Sequence, residues 1–387
     1  MEGQQYLISK ERILEEFLAL ASIDAPSYGE REITDRLAEK LRSIGFSVEE
    51  DNAGEVIGGT AGNLYAFLQG ELPGDPICFV GHTDTVEPSR GKTPFVDDNG
   101  VITSRSETVL GGDDLCGVVE ILEGVRHLVE ARIPHRSVEV ILMAAEEVYG
   151  KGAKAWDYSR PQAKEIYVLD MSGDVGSAAV QAPSLISFEA RVQGLASHAG
   201  FAPEAGIHAI HLASQAVSSL KLGYLDAGTT LNIGSISGGK GTNIVPELCV
   251  VTGEVRSNDH EKARQTIASV RQAFEEVCAA YRRTHQIQDL DLPRIDFAAD
   301  EHLVTYHVPE DHPVVQRFLR ACERLGLPGE TKETFGGSDN NILMLHGMTG
   351  IVLSCGMERV HSTEEYTTVR ELVKGAELVA ELLKDTE

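Results

Sequence analysis

Apolar residues recur at helical spacing near the start of the chain, at Ile13, Leu14, Phe17, Leu18 and Ala21, and Ser9 is placed to cap that helix. A second helix is predicted through Ile33, Leu37, Leu41 and Ile44, with Gly45 as its C-terminal stop. The period then shortens. Strands are predicted over 47–50, 63–68 and 77–80, divided by Gly, Pro and Asp turns, and the last runs into Gly81-His82-Thr83-Asp84-Thr85-Val86. Leu110-Gly111-Gly112-Asp113-Asp114 opens a helix bearing Val118, Leu122, Val125 and Val129. Two more apolar strands follow, 138–145 leading into Glu146-Glu147 and 166–169 ending at Asp170.

From 184 the pattern changes. Strands are predicted over 184–192, 229–236, 248–255 and 294–307, and helices over 203–220 and 260–283, which makes an α+β unit inserted between two parts of the first. Helical spacing returns over 309–325, Thr334-Phe335-Gly336-Gly337-Ser338-Asp339-Asn340-Asn341 opens a short helix, and 350–354 reads as a strand that His361 follows by seven residues. An amphipathic helix over 369–383 closes the chain. The predicted division is a body of 1–183 and 308–387 around an inserted domain of 184–307. Its length of 387 residues agrees, since a single core stops growing at a smaller size.

Composition narrows the function classes. A hydrophobic content of 42% with 38 Gly and 14 Pro is that of a globular protein, and Lys+Arg 34 against Asp+Glu 60 gives a net charge of −26. That charge repels phosphate backbones and anionic bilayers, so neither nucleic acid nor a membrane is expected as partner. The opening Met1-Glu2-Gly3-Gln4-Gln5 lacks the apolar core of a signal peptide, and no run reaches the roughly 18 apolar residues that span a bilayer. The expected compartment is the cytoplasm. Cys78, Cys116, Cys249, Cys278, Cys322 and Cys355 are scattered without Cys-x-x-Cys spacing and read as reduced core residues.

An acidic pair at the end of a buried strand reads, taken alone, as a solvated turn. Two acids at a helix start, as at Asp113 and Asp114, can simply complement the helix dipole, worth up to about 1 kcal/mol. Three strand ends carrying His82, Glu147 and Asp170 read otherwise, because ligands of open α/β sheets bind outside the carboxyl ends of the strands. With Asp113 and His361 the set holds two imidazoles and three carboxylates and no thiolate, which suits Zn, Co or Mn. A carboxylate held between two metals about 3.5–4 Å apart, with further ligands on each, makes a two-metal hydrolytic site. Neighbours on an extended segment point to opposite sides, so Glu147 can bind a metal while Glu146 acts as general base. Asp84, two residues beyond His82, is placed to accept the other imidazole N–H.

These segments resemble the di-zinc exopeptidase and amidohydrolase family that includes peptidase T, glutamate carboxypeptidases, aminoacylases and succinyl-diaminopimelate desuccinylase. Gly-His-Thr-Asp-Thr-Val at 81–86, Gly-Gly-Asp-Asp at 111–114, Glu146-Glu147, Leu169-Asp170 and the run from Gly356 to His361 match its five metal-site motifs in order. Ser-His-Ala-Gly at 197–200, Gly-Gly-x-x-x-Asn-Ile-Val-Pro at 238–246 and Gly-Glu-x-Arg-Ser at 253–257 match its lid domain. The resemblance implies an α/β catalytic domain with a mixed sheet flanked by helices, plus an inserted α+β lid that dimerises. It implies that Asp113 bridges two metal ions, zinc first, with His82 and Asp170 on one and Glu147 and His361 on the other. It implies Glu146 as the base, His198 as the histidine that reaches a neighbouring subunit's site to stabilise the oxyanion, and Arg256 and Asn243 as holders of the substrate's backbone or carboxylate. A homodimer follows from that role.

Many relatives follow the bridging Asp with Asp-Lys or Met-Lys, whereas this chain has Asp114-Leu115-Cys116, a change of local charge that removes no ligand. Together with Gly-Met-Glu-Arg-Val-His-Ser-Thr-Glu-Glu-Tyr at 356–366, the acidic pair is most similar to the peptidase T-like branch, which implies an aminopeptidase acting on short peptides such as tripeptides. A carboxypeptidase or N-acyl-amino-acid deacylase on the same scaffold is the alternative enzyme, and a silent peptide-binding relative the alternative class. An intact Glu146 speaks against the latter, since a binding module has no use for a base.

Overall fold

The computed structural model describes residues 8–286 and 291–385, so the segment 1–5, read above for leader signals, lies outside the described residues. The chain forms two compact units, one of residues up to 181 with 307–334 and 338 onward, the other of 182–306 with 335–337. The short return of 335–337 to the second unit is not visible in the sequence. Its reason is local: Arg256 Nη1 donates to the Phe335 carbonyl at 2.8 Å and the Phe335 ring meets Tyr224 edge-on at 5.8 Å.

In the first unit, Ile77–His82 lies between Val138–Met143 and Glu165–Met171, and Thr349–Ser354 adds beyond Glu165–Met171, all four strands parallel. Leu64–Leu68 and Ser47–Glu50 extend the sheet antiparallel on one side, and Ser177–Ala182 does so on the other. Every residue of Ile77–His82 and Val138–Met143 is buried. Such continuous burial needs helices on both faces, and it explains why the two strands read as unbroken apolar runs. The helix Gly112–Ala131 rests on the sheet through Gly117, where a Cβ would overlap the Leu169 carbonyl oxygen. The helices Lys10–Ala21 and Val369–Lys384 pack against it in turn. Ser9 caps the first by accepting from the Arg12 N–H at 3.2 Å, and Gly45 ends Arg31–Ile44 in the left-handed region at φ 117°.

The second unit is a five-stranded antiparallel sheet in the order Gly223–Asp226, Thr229–Gly238, Leu248–Ser257, Ser184–Gln193, Arg294–Leu303. The helices Ala209–Ser219 and His260–Thr284 cover one face through a core that includes Phe188, Val251, Leu212, Val270 and Phe274. Three boundaries differ from the sequence reading. Pro203–Ala205 is a separate turn of 3-10 helix, and the α-helix begins only at Ala209, because Leu195 and Ile207 pair as a β-bridge in between. The strand predicted over 294–307 stops at Leu303, where Thr305 turns to bond Ser184 Oγ and the Ala182 carbonyl. In the first unit the helix predicted over 309–325 starts at Pro313, capped by His312.

All six cysteines are buried and none is in a disulfide. No described helix is long and apolar enough to cross a membrane.

Candidate metal centre

Because the four central strands are parallel, their carboxyl ends lie along one edge. His82 ends the first strand, Glu146 and Glu147 follow Val138–Met143, Asp170 is the penultimate residue of Glu165–Met171, and the chain leaving Thr349–Ser354 leads to His361. The topology therefore delivers four of the five expected ligands to one crevice. Asp113 arrives from the start of Gly112–Ala131, where Asp113 and Asp114 depart from helical φ/ψ.

The donor atoms meet as two groups that share Asp113. Its Oδ1 lies 3.1 Å from His82 Nε2 and its Oδ2 lies 3.2 Å from His361 Nε2. Asp170 Oδ1 approaches the first histidine at 3.9 Å and Glu147 Oε2 the second at 3.1 Å. Ligands about 2.0–2.2 Å from a tetrahedral ion are separated by about 3.3–3.6 Å, a range that the four separations of 3.1, 3.2, 3.9 and 3.1 Å bracket. Donors of His82, Asp113 and Glu147 all lie within 4.8 Å of one another, and so do those of His82, Glu146 and Asp170. Glu146 is thus in reach of the same crevice without being the nearest partner of either histidine.

His82 is oriented from behind. Its Nδ1 lies 3.0 Å from the backbone oxygen of Asp84, which can only accept, so Nδ1 carries a hydrogen and Nε2 is the nitrogen turned toward Asp113 and the crevice. The Asp84 carboxylate lies 3.5 Å from the same nitrogen through Oδ1, and it also holds the acidic turn. It accepts from Glu146 N–H at 2.8 Å, Glu147 N–H at 3.2 Å and Ser27 Oγ–H at 2.7 Å.

Two further side chains complete a clamp that the sequence reading missed. Asn63 Oδ1 accepts from Ala144 N–H at 2.9 Å and Glu30 Oε1 from Ala145 N–H at 3.2 Å. Four successive amides, 144 to 147, are therefore held by three side chains from other segments. Ala145 sits at φ 53°, a conformation an L-residue keeps only when its surroundings impose it. The loop before Asp113 is held in the same manner: buried Glu365 accepts from Leu110 N–H (2.7 Å), Gly111 N–H (2.8 Å) and Asp113 N–H (2.9 Å). His361 itself lies at φ 61°.

The electrostatics calls for cations. Burial raises the carboxyl pKa of Asp170, reinforced by Asp113 and Glu146, and burial raises that of Glu146, reinforced by Asp339. Burial works against a charge on His82, but hydrogen bonding to Asp113 and Asp84 outweighs it and raises the imidazole pKa. Glu147 Oε1 is buried without a hydrogen-bond partner. A surplus of buried carboxylates, an orphaned carboxylate oxygen and donors at coordination spacing all fit a pair of metal ions. Cys116 does not join them: burial, then Glu120, pushes its thiol pKa up, and it remains a packing residue.

In the second unit, His198 Nδ1 accepts from the amides of Gly200 (3.1 Å) and Phe201 (3.2 Å), so the exposed Nε2 carries the hydrogen. Asn243 stands beside it, its backbone oxygen accepting from Ala199 N–H at 3.0 Å. Arg256 donates to the Phe335 carbonyl and pairs with Glu254 at 2.8 Å.

A helix-flanked mixed sheet with this donor set at its carboxyl edge, interrupted by an α+β domain, is the build of a metallopeptidase. The model described as peptidase family M28 matches residues 63–201, and that of the M20 peptidase dimerisation domain matches 181–282. The uncharacterised YqjE protein of Bacillus subtilis is 36% identical over 98% of this chain and 99% of its own length. The crystal structure of aminopeptidase PepT from Bacillus cereus is 36% identical at a TM-score of 0.87, over 97% of this chain and 98% of that one. A tripeptidase from Staphylococcus aureus is 30% identical at a TM-score of 0.91, covering 98% of both chains. The chain belongs to the M20 peptidase family, in its peptidase T-like branch.

Proposed function

We propose that the chain is a metal-dependent aminopeptidase that releases the N-terminal residue of short peptides, tripeptides foremost. The observation that carries the reading is the division of Asp113, one oxygen toward His82 and the other toward His361. Two divalent ions, zinc before cobalt or manganese, would be held by His82, Asp113 and Asp170 on one side and Asp113, Glu147 and His361 on the other. When bound, the pair supplies Lewis acidity, lowering the pKa of water and polarising the scissile carbonyl. The names of the Bacillus cereus aminopeptidase and the Staphylococcus aureus tripeptidase support the direction of cleavage and the substrate length.

Glu146 takes the proton of the attacking water on its carboxylate and hands it to the leaving amine nitrogen. Burial, reinforced by Asp339, raises its carboxyl pKa, the direction that favours holding the proton between the two transfers. Asp84 is a positioning residue, fixing the Glu146 and Glu147 amides and, through its own carbonyl, the His82 tautomer. His198, with Nε2–H turned outward, is assigned to the oxyanion in a homodimer built through the inserted domain, and the dimerisation-domain match supports that assembly. Asn243 and Arg256 are assigned to the substrate's backbone or carboxylate.

Replacing Glu146→Gln tests the mechanism, because it keeps the shape and removes the base. The expected result is a fall in kcat of about 10²–10⁴-fold or more with metal content per chain unchanged by elemental analysis. Retained turnover in that variant would refute Glu146 as base, and lost metal would make it a ligand instead.

A further inference from the structure

Away from the donor set, the first unit has a cavity of about 620 Å³ whose lining includes Arg31, Glu50, Asp51, Glu55, Trp156 and Arg160, none of them used by the chemistry above. We propose that this cavity is an effector site for a free amino acid, whose carboxylate takes the Trp156 indole N–H and whose ammonium pairs with Glu55, and that its occupancy is felt at the turn carrying Glu146. The site stands on its own residues; reading its ligand as the enzyme's product rests on the aminopeptidase reading.

Unmet donors come first. Trp156 is 5% exposed, and its indole N–H has no acceptor among the described residues. Arg31 Nε–H is buried and lacks one too. Buried donors are nearly always partnered, so two orphans lining one cavity call for an oxygen acceptor from outside the chain. The Trp156 ring and Ala155 add apolar lining for a side chain.

Charge decides what carries that oxygen. Arg31 is already bound by Glu50 at 2.7 and 2.9 Å and by Asp35 at 2.7 Å, and Arg160 by Glu49 at 2.8 Å. Asp51 is occupied by the N–H groups of Ala53 and Asn63 and has no cation, and Glu55 pairs with no described cation. The lining is therefore acidic overall. It repels phosphates and nucleotides and admits an oxygen acceptor only on a molecule that brings its own positive charge. An α-amino acid carries both groups, and the cavity lies within the roughly 300–1,000 Å³ of small-molecule clefts.

The wall continues into the catalytic turn. Asn63 donates through Nδ2 to Asp51 Oδ2 at 2.9 Å and accepts through Oδ1 from Ala144 N–H at 2.9 Å, so one amide side chain joins the cavity to the strand end that carries Glu146. Arg31 follows Glu30, whose Oε1 holds Ala145 N–H at 3.2 Å. Two of the three side chains that hold the turn are thus chain neighbours of the cavity's lining, and a ligand that orders this wall orders the turn as well.

Trp156 is the only tryptophan of the chain, so its fluorescence reports this cavity directly. Titrating the metal-loaded full chain with L-leucine is expected to give a saturable change below ~10 mM, with leucinamide and N-acetyl-leucine at least ~10-fold weaker, since each lacks one of the two charges. Glu55→Gln should raise the Kd for L-leucine at least ~10-fold. Bound L-leucine should slow hydrogen exchange of the 144–147 amides at least ~3-fold, a protection that Glu55→Gln loses at the same concentration. No saturable change, a Kd that Glu55→Gln leaves as it was, or tighter binding of inorganic phosphate than of L-leucine overturns the site, and binding without protection of the turn overturns the coupling. A wild type that binds L-leucine at Trp156 yet releases no first residue from a tripeptide refutes the aminopeptidase reading and leaves the site standing.

Discussion

Asp84 and Glu365 act through backbone amides. Asp84 is expected from the sequence to support His82, whereas Glu365 sits among residues that read as loop chemistry, and each is buried, with 1% and 2% of its surface exposed. Asp84→Asn leaves one acceptor oxygen where two are in use, so at least one of the Ser27, Glu146 and Glu147 donors loses its partner. A buried unsatisfied donor costs about 1–3 kcal/mol, and that loss should appear as a lower urea midpoint of the metal-loaded protein, with reduced kcat. An unchanged midpoint would remove Asp84 from the clamp. Glu365→Gln has the same defect against the amides of Leu110, Gly111 and Asp113. Supports of this kind are worth about 10–100-fold in metal affinity, which competition with a chelator would read directly.

Neither Glu365 nor Glu30 was legible as a support in the sequence. Glu365 follows His361-Ser362-Thr363-Glu364 and looks like part of a solvated polar run, while Glu30 looks like a helix-start acid. Their partners lie more than a hundred residues away along the chain, at Asp113 and Ala145. Local pattern holds no trace of such pairings.

At the scale of elements, what was legible followed from period and from strand ends. Buried parallel strands carry apolar runs, their polar successors face the carboxyl edge, and so His82, Glu146, Glu147 and Asp170 stood out before any fold was known. Element boundaries were less legible, because tertiary partners set them: the Leu195 to Ile207 bridge delays the helix at Ala209, and the Ser184 hydroxyl ends the strand at Leu303. The seat of Gly112–Ala131 on Glu165–Met171 offers a test of the packing that aims Asp113. Gly117→Ala puts a methyl against the Leu169 carbonyl, and overpacking of this kind costs about 1–3 kcal/mol. The expected outcome is a lower thermal midpoint together with weaker metal retention, since the helix carries Asp113 at its first turn. A loss of stability with full metal retention would mean that the helix start is positioned by Glu365 alone.

For the whole molecule, the acidic surplus makes its cations structural as well as chemical. In the metal-free protein burial pushes the Asp339 carboxyl from 3.8 up to about 7 and the Glu30 carboxyl from 4.5 up to about 7. Hydrogen bonds to Asp113 and Glu147 lift His361 from 6.5 to about 10. Each of these groups binds protons more tightly folded than unfolded, so each contributes stability at low pH. The carboxyl part is lost between about pH 4 and 7 and the His361 part between about pH 6.5 and 10. Metal binding runs the other way, because protons compete for the same ligands. The gap in thermal midpoint between metal-loaded and chelator-treated protein should therefore widen from about pH 5.5 to about pH 8, and a gap that narrows would contradict the placement of cations among these carboxylates.

The central claim is that the site cleaves the first peptide bond of a short peptide bearing a free amine. Mass spectrometry of the products from an unblocked Leu-first tripeptide, the same peptide N-acetylated, and an N-acetyl amino acid tests it with zinc, cobalt or manganese supplied. Free leucine and a dipeptide from the unblocked peptide alone are predicted; release of the C-terminal residue, or hydrolysis of the acetylated compounds at a comparable rate, would contradict it.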